Sequence, residues 1–406
     1  MDALTTPSNW QRVRLGDIGI TISGLAGKTK QDFINGNAKY ITFLNVLNNV
    51  IIDTSILENV KIYPNEKQNS FKKYDLFFNT SSETPKEVGM CAVLLDDIDQ
   101  VFLNSFCFGF RIFDKAVDGL FLSYLINSEI GRKAFENLAQ GSTRYNLSKS
   151  GFNNVCLFLP PLNEQIAIAN ILSDLDRYLY SLDALILKKE SIKKALSFEL
   201  LSQRKRLKGF NQAWQRVRLG DVAEIIGGGT PSTQITSFWN GSINWFTPTE
   251  IGITKYVYKS QRTITPLGLK KSSAKLLPIG TILLTSRASI GDCAILKVVA
   301  TTNQGFQSLI PLEKINNKFL YYLILTLKNK LLELASGSTF LEVSPNKIKN
   351  LLIPLPPLNE QIAIANILSD LDNEIISLKN KKRQFENIKK ALNHDLMSAK
   401  IRVLNK

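Results

Sequence analysis

Histidine is almost missing from this chain: 406 residues hold one, His394. The four cysteines, Cys91, Cys107, Cys156 and Cys293, are scattered with no Cys-x-x-Cys pair, so neither a zinc site nor a disulfide framework is expected. Such cysteine usage fits a reducing, cytoplasmic compartment. No nucleophile–base constellation can be assembled around a lone histidine, and the Asn-Pro-Pro-Tyr or Asp-Pro-Pro-Tyr motif of an amino-methyltransferase is not present. Two near-matches to nucleotide motifs fail on spacing. Gly24-Leu-Ala-Gly-Lys-Thr29 has two residues between its glycines where a phosphate loop needs four, and in Gly227-Gly-Gly-Thr-Pro231 the proline blocks the helix a dinucleotide fingerprint requires. Long apolar runs are also lacking. Residues 1–10 have no signal-peptide core, and the longest apolar run, residues 319–327, is far short of the ~20 residues of a spanning helix. Acidic charge is in deficit, 35 Asp and Glu against 50 Lys and Arg; the net charge of +15 favours a polyanionic partner. The expectation is a non-enzymatic binding protein.

What the chain does have is a duplication. LPPLNEQIAIANILSDLD occupies residues 159–176 and recurs without change at 355–372, a shift of 196 residues. Solenoid repeats have periods of about 20 to 50 residues, so each copy here is large enough to be a domain with its own core. WQRVRLGD at 10–17 recurs at 214–221 and marks where each copy begins. Between these landmarks the copies diverge, although Gly89-Met-Cys-Ala-Val matches Gly291-Asp-Cys-Ala-Ile and Gly141-Ser-Thr matches Gly337-Ser-Thr. Short alternating apolar stretches, such as 40–46 and 76–79, read as strands in a mixed α+β domain. One scaffold therefore carries two different surfaces.

The 18-residue repeat switches the chain from strand to helix. Residues 155–159 are an apolar strand, Pro160 and Pro161 end it, Asn163 is suited to cap a helix, and no Pro or Gly follows until Gly209. Apolar residues then step by three and four through Ile168, Ile171, Leu175, Leu179, Leu182, Leu185, Ile192, Leu196 and Leu200, with a matching series from Ile364 to Leu396. Two antiparallel helices burying each other's stripe are favoured; the alternative has each helix folding back on its own domain. Arg204, Lys205, Arg206 and Lys208 close the first helix, either as cations at the negative end of its dipole or as a nucleic-acid contact.

Two units, each ending in Pro-Pro-Leu-x-Glu-Gln and a long helix, resemble the specificity subunit of type I restriction-modification systems over essentially the whole chain. Leu-Gly-Asp at 15 and 219 and the Lys-Ile-Arg-Val ending at 400–403 add to the likeness. The resemblance implies a target recognition domain at 1–160, a spacer helix at 161–208, a second recognition domain at 209–356 and a second spacer helix at 357–406. The expected fold class is α+β, two globular domains separated by an antiparallel coiled coil with a pseudo-two-fold repeat. The implied function is reading a bipartite, asymmetric sequence in double-stranded DNA. The implied partners are two methyltransferase subunits carrying S-adenosylmethionine for adenine methylation, and restriction subunits carrying ATP and Mg. No cofactor or metal is expected on this chain, and no membrane association. The rival reading is a coiled-coil scaffold for an acidic protein.

Base recognition needs polar side chains on loops, and phosphate contact needs only cations. The base-reading candidates in the first unit are Thr42, Asn45, Asn79, Thr80, Ser81, Ser82, Glu83, Arg144 and Tyr145. In the second they are Thr247, Glu250, Thr285, Ser286, Arg287, Thr339 and Phe340. Lys28, Lys30, Lys39, Lys255, Lys270 and Lys271 are phosphate candidates, while Trp239 and Trp245 are expected in the core. Asn163, Glu164, Gln165, Ile168 and their copies Asn359, Glu360, Gln361, Ile364 are candidates for methyltransferase docking or helix pairing.

Overall fold

A computed structural model describes residues 7–141, 143–337 and 341–403. The chain forms two compact units, one of residues up to Asp183 together with those from Asn380 on, the other Ala184–Lys379. Each unit holds the start of one long helix and the end of the other. The fold class is α+β, and the two units repeat one topology.

In the first unit a four-stranded sheet runs Gly19–Ser23, Cys107–Ile112, Leu76–Asn79, Cys91–Val93. Beside it lies a three-stranded sheet of Glu58–Val60, Ala38–Ile41 and Val101–Leu103, the last two parallel. In the second unit the corresponding sheets have five strands, ordered Ala223–Gly227, Gln307–Pro311, Ile282–Leu284, Cys293–Leu296, Tyr256–Val257, and three strands, Arg262–Ile264, Trp239–Phe246, Ala300–Thr302. The WQRVRLGD starts become strands Gln11–Arg14 and Gln215–Arg218. Each pairs antiparallel with the strand that ends its domain, Cys156–Leu159 or Leu352–Leu355. Residues 40–46, read above as one strand, split: the strand stops at Ile41 and Thr42 caps a helix, Phe43–Asn48, by accepting from the Asn45 amide. A local side-chain cap outweighs the β preference of this short apolar stretch.

The prolines end the strands as expected, and the long helices Leu162–Leu201 and Leu358–Met397 follow at once. The carbonyl of Pro161 takes the amide of Gln165 and that of Pro357 the amide of Gln361, so each helix begins one residue before the asparagine expected to cap it. Each ends where a residue adopts a left-handed conformation, Gln203 at φ 63° and Ala399 at φ 57°.

Ion pairs fix the helix direction within each unit. In the first, Asp176 meets Lys389 and Asp183 meets Lys382; in the second, Glu190 meets Lys379 and Lys193 meets Asp372. Partners that rise in number on one helix as they fall on the other define an antiparallel pair. Leu182 and Ile186 are buried outside the domain cores, as a helix-pair seam requires, but the ends of the stripe serve the domains instead. Ile168, Ala169 and Leu172 are buried in the same core as Leu125 and Leu157 of the globular part of the unit, and Leu396 and Met397 reach that core from the other helix. Of the expected seam, Ile171, Leu185 and Ile192 stay exposed. The first three turns thus do fold back on their own domain, because three small or aliphatic residues on one face match the apolar end of that domain.

The repeated Glu-Gln pair is the joint of each unit. Gln165 is buried; its amide oxygen accepts from the Asp118 amide at 2.9 Å, and its nitrogen donates to the carbonyls of Ala116 and Pro160. Gln361 makes the same three bonds to Asn316, Lys314 and Pro356. Buried Glu164 is gripped through both oxygens by Arg402, at 2.7 and 3.1 Å. Glu360 is gripped likewise by Arg206, at 2.7 and 3.2 Å, and also accepts from the Trp214 indole. The cluster at 204–208 thus supplies an internal counter-ion.

Arg402→Ala strands the Glu164 carboxylate in the interior. Denaturant unfolding should show a lowered midpoint, and adding Glu164→Gln should recover part of the loss, since removing one partner of a pair with a buried carboxylate costs more than replacing both.

Candidate nucleic-acid interface

One rim of each unit collects the loops singled out in the sequence, and identical main-chain bonds build it twice. In the first unit the Asn104 amide donates to Ile41, and the Asn104 side chain accepts from the Phe106 amide. The Phe106 carbonyl receives both the amide and the hydroxyl of Thr80, at 2.9 and 2.8 Å, and the Thr80 carbonyl receives Leu147. In the second unit Asn303 donates to Phe246 and caps the Gly305 amide. The Gly305 carbonyl receives the amide and hydroxyl of Ser286, at 2.8 and 3.2 Å, and the Ser286 carbonyl receives Val343. Thr42 and Thr247 cap the short helices beside these turns; Thr247 does so in a capping box with Glu250, whose other oxygen accepts from Gln261.

On this common frame the side chains differ. Strand Ser81–Ser82 pairs with Tyr145–Asn146, bringing together two loops more than 60 positions apart in sequence. In the second unit the same bridge is made by Arg287 and Glu342. Phe106 stands 54% exposed in the first unit, with the Arg144 guanidinium 5.7 Å from its ring centre, where the second has Gly305. Thr80, Glu83, Arg144, Tyr145, Thr247 and Arg287 are thus at the rim and wholly or partly exposed.

Other candidates belong to the frame itself. Asn79 is fully buried, donating to Ser81 and Glu87 and accepting from Met90. Asn45, Ser81, Ser82, Thr285 and Ser286 are buried too, Asn45 spanning to the backbone of Asp53. As placed, the side chains of Asn79, Asn45, Ser82, Thr285 and Ser286 turn their polar groups to the loops themselves and hold them in shape. Thr339 and Phe340 lie outside the described residues. Glu164, Glu360, Gln165, Gln361, Ile168 and Ile364 are interior residues of the helix joints; Asn163 and Asn359 are exposed.

Among the lysines, Lys30, Lys39, Lys270 and Lys271 are exposed, and two are not available. Lys28 is enclosed in an ion pair with Glu66 at 2.5 Å and a bond to the Lys61 carbonyl. Lys255 is turned inward to the Tyr322 hydroxyl at 2.7 Å, Ser369 at 2.8 Å and Asp372 at 3.7 Å. Burial pushes its amine down to about 8, partly offset by Asp372. The corresponding backbone position in the first unit is Val50, a half-buried residue packed against the core. Burial also pushes the thiols of Cys91, Cys107 and Cys293 up, away from nucleophilic character.

One exposed cation escaped the sequence reading. Arg262 lies over the Trp239 ring, 3.8 Å from its centre, and near Trp245. Both tryptophans are in the core as expected, and their indole nitrogens hold the glycine-rich loop through Ser232 and Gly229. Gly228 is obligatory there, because a Cβ would fall 1.9 Å from the Asn303 carbonyl oxygen.

The family model for the type I restriction modification DNA specificity domain matches twice, over residues 7–192 and 211–387. The chain belongs to that family. It is 41% identical over 181 residues to the MjaIX specificity subunit of Methanocaldococcus jannaschii, a match spanning 44% of this chain and 41% of that protein. With the putative MjaX specificity subunit of the same organism it shares 27% identity over 98% of this chain and 95% of the other. The crystal structure of a type I S subunit from M. genitalium superposes with a TM-score of 0.60 at 17% identity, covering 96% of each chain, and so shares the fold. Among the described residues of this family member, no helix is long and apolar enough to cross a membrane.

Lys255→Val should leave DNA affinity unchanged. In the folded state Lys255 loses its proton near pH 8 instead of near 10.5, so the unfolded state binds more protons between these values and wild-type stability should rise with pH across that window. Urea midpoints measured from pH 7 to 10 should show the rise in wild type and a flatter profile in the variant.

Proposed function

We propose that this chain is the DNA-reading subunit of a type I restriction-modification complex, each recognition domain reading one half of a bipartite, asymmetric target in double-stranded DNA. One observation carries the reading: a rim fixed by the same main-chain bonds in both units bears unlike polar and aromatic side chains. Such a rim can offer the same approach to two half-sites and demand different bases at each. The excess of cations supports the non-specific part of the affinity. Chemistry resides in partners: methyltransferase subunits with S-adenosylmethionine act on adenine, and restriction subunits use ATP and Mg. The chain works in the cytoplasm, where DNA and these partners are found.

Two methyltransferase subunits would take the two copies of one helix face. Within the repeat the outward residues are Leu162, Asn163, Ile166 and Asn170 in the first copy and Leu358, Asn359, Ile362 and Asn366 in the second. Ile166 and Ile362 are 42% and 41% exposed and serve neither core. Matching apolar residues on the outside of two otherwise different units suit two equivalent partners.

Co-expression with the cognate methyltransferase, followed by base-resolution mapping of methylated adenine, should show a bipartite asymmetric motif that is lost when this gene is removed. No motif, together with no sequence-dependent retardation of duplex DNA, would favour the scaffold reading. Ile166→Asp with Ile362→Asp should weaken methyltransferase assembly by about tenfold or more and leave the unfolding midpoint unchanged, since each isoleucine contributes about 1.5–3 kcal/mol when buried.

A further inference from the structure

We infer that Glu342 is a positioning residue that sets the guanidinium of Arg287 for base recognition in the second recognition domain; the inference rests on the DNA-reading function proposed above. Arg287 and Glu342 face each other across an antiparallel bridge, with Arg287 Nη2 2.8 Å from Glu342 Oε2. Both backbones are pinned. Ser286, next to Arg287, is tied to Gly305 and Val343, while the amide and carbonyl of Glu342 both bond Ser336.

The pair is poorly explained as a stabilising contact. Its side chains are 43% and 32% exposed, and ion pairs in that setting contribute only about 0–1 kcal/mol. A carboxylate on a surface that meets phosphates also repels them. Orientation is what it supplies. Guanidinium carries five donors in one plane; a carboxylate at one of them fixes the plane and leaves others for a second acceptor pair. In the major groove the O6 and N7 atoms of guanine form such a pair. The first unit places Ser81 opposite Asn146 at the same bridge, a pair of small polar side chains without charge. Ser81 is buried there and Asn146 alone faces outward, so the same bridge carries an ion pair on one rim and a single exposed amide on the other.

The test uses the whole complex with its methyltransferase and maps methylated sites genome-wide. Arg287→Ala and Glu342→Ala should each relax the same single base position of one half-site, with a loss of discrimination of about tenfold, and leave the other half-site unchanged. The double variant should be no worse than Arg287→Ala alone. Glu342→Gln, nearly isosteric but uncharged, should fall between wild type and Glu342→Ala, and it serves as the readout if the alanine variant does not fold. An unchanged motif in Glu342→Gln and Glu342→Ala, relaxation at a different base from Arg287→Ala, or an equal fall in methylation at every site would overturn the inference while the function stands. A wild-type complex with no bipartite motif would overturn both.

Discussion

A buried carboxylate held by an arginine from the far end of the opposite helix is the constraint on which each unit rests. Placing Glu164 or Glu360 in the interior costs several kcal/mol, and only a counter-ion with good geometry offsets that cost. The arginine is not a local one: Arg402 lies 238 residues beyond Glu164, and Arg206 lies 154 residues before Glu360. The grip closes only when the two long helices run antiparallel in one register, the register that also lets Lys389 meet Asp176 and Lys193 meet Asp372. The neighbouring glutamine carries the constraint into the domain, because its saturated amide fixes the loop before the helices Gly119–Asn127 and Asn317–Thr326. Tyr124 and Tyr322, on those helices, return to Asp176 and Asp372 and complete the circuit.

With the joint fixed this way, the recognition rims are free to diverge. Their shape rests on main-chain bonds and on hydroxyl or amide groups that turn inward, at Thr80, Ser286, Asn104 and Asn303. Residues pointing outward from such a frame can change without altering the loop. Phe106 against Gly305, and exposed Asn146 against Glu342 with its partner Arg287, are the result. Family membership and the duplicated rim support the proposal of a scaffold built once and carrying two different surfaces.

Much of this was legible in the sequence. The exact repeat at 159–176 and 355–372, the double proline and the long run without Pro or Gly fix the number of units, the strand ends and both helices. What was hidden depends on contacts between distant segments. Nothing local reveals that Glu164 and Gln165 point inward, since the amphipathic stripe alone leaves both faces open to them. One signal was available: the repeat shift of 196 carries Arg206 onto Arg402 and Leu207 onto Val403, so the two chain endings form a second matched pair beyond the helices. Lys255 illustrates the opposite difficulty. A lysine in a turn-rich stretch of a basic protein reads as a phosphate contact, and only its strand pairing shows that it fills the place of Val50.

The joint also governs the order in which the cores are completed. The second unit is one continuous segment, Ala184–Lys379, whereas the first needs residues from Asn380 on, including Leu396 and Met397, to cover Ile168, Ala169 and Leu172. Multidomain chains generally complete their N-terminal domain first during synthesis. Here the first core is closed only by residues that follow the second unit in the chain. The N-terminal core waits with an uncovered apolar face until the whole of its neighbour has been translated, and Glu164 has no counter-ion until Arg402 leaves the ribosome. A chain halted before Asn380 lacks Leu396 and Met397 and so holds one finished core and one open one.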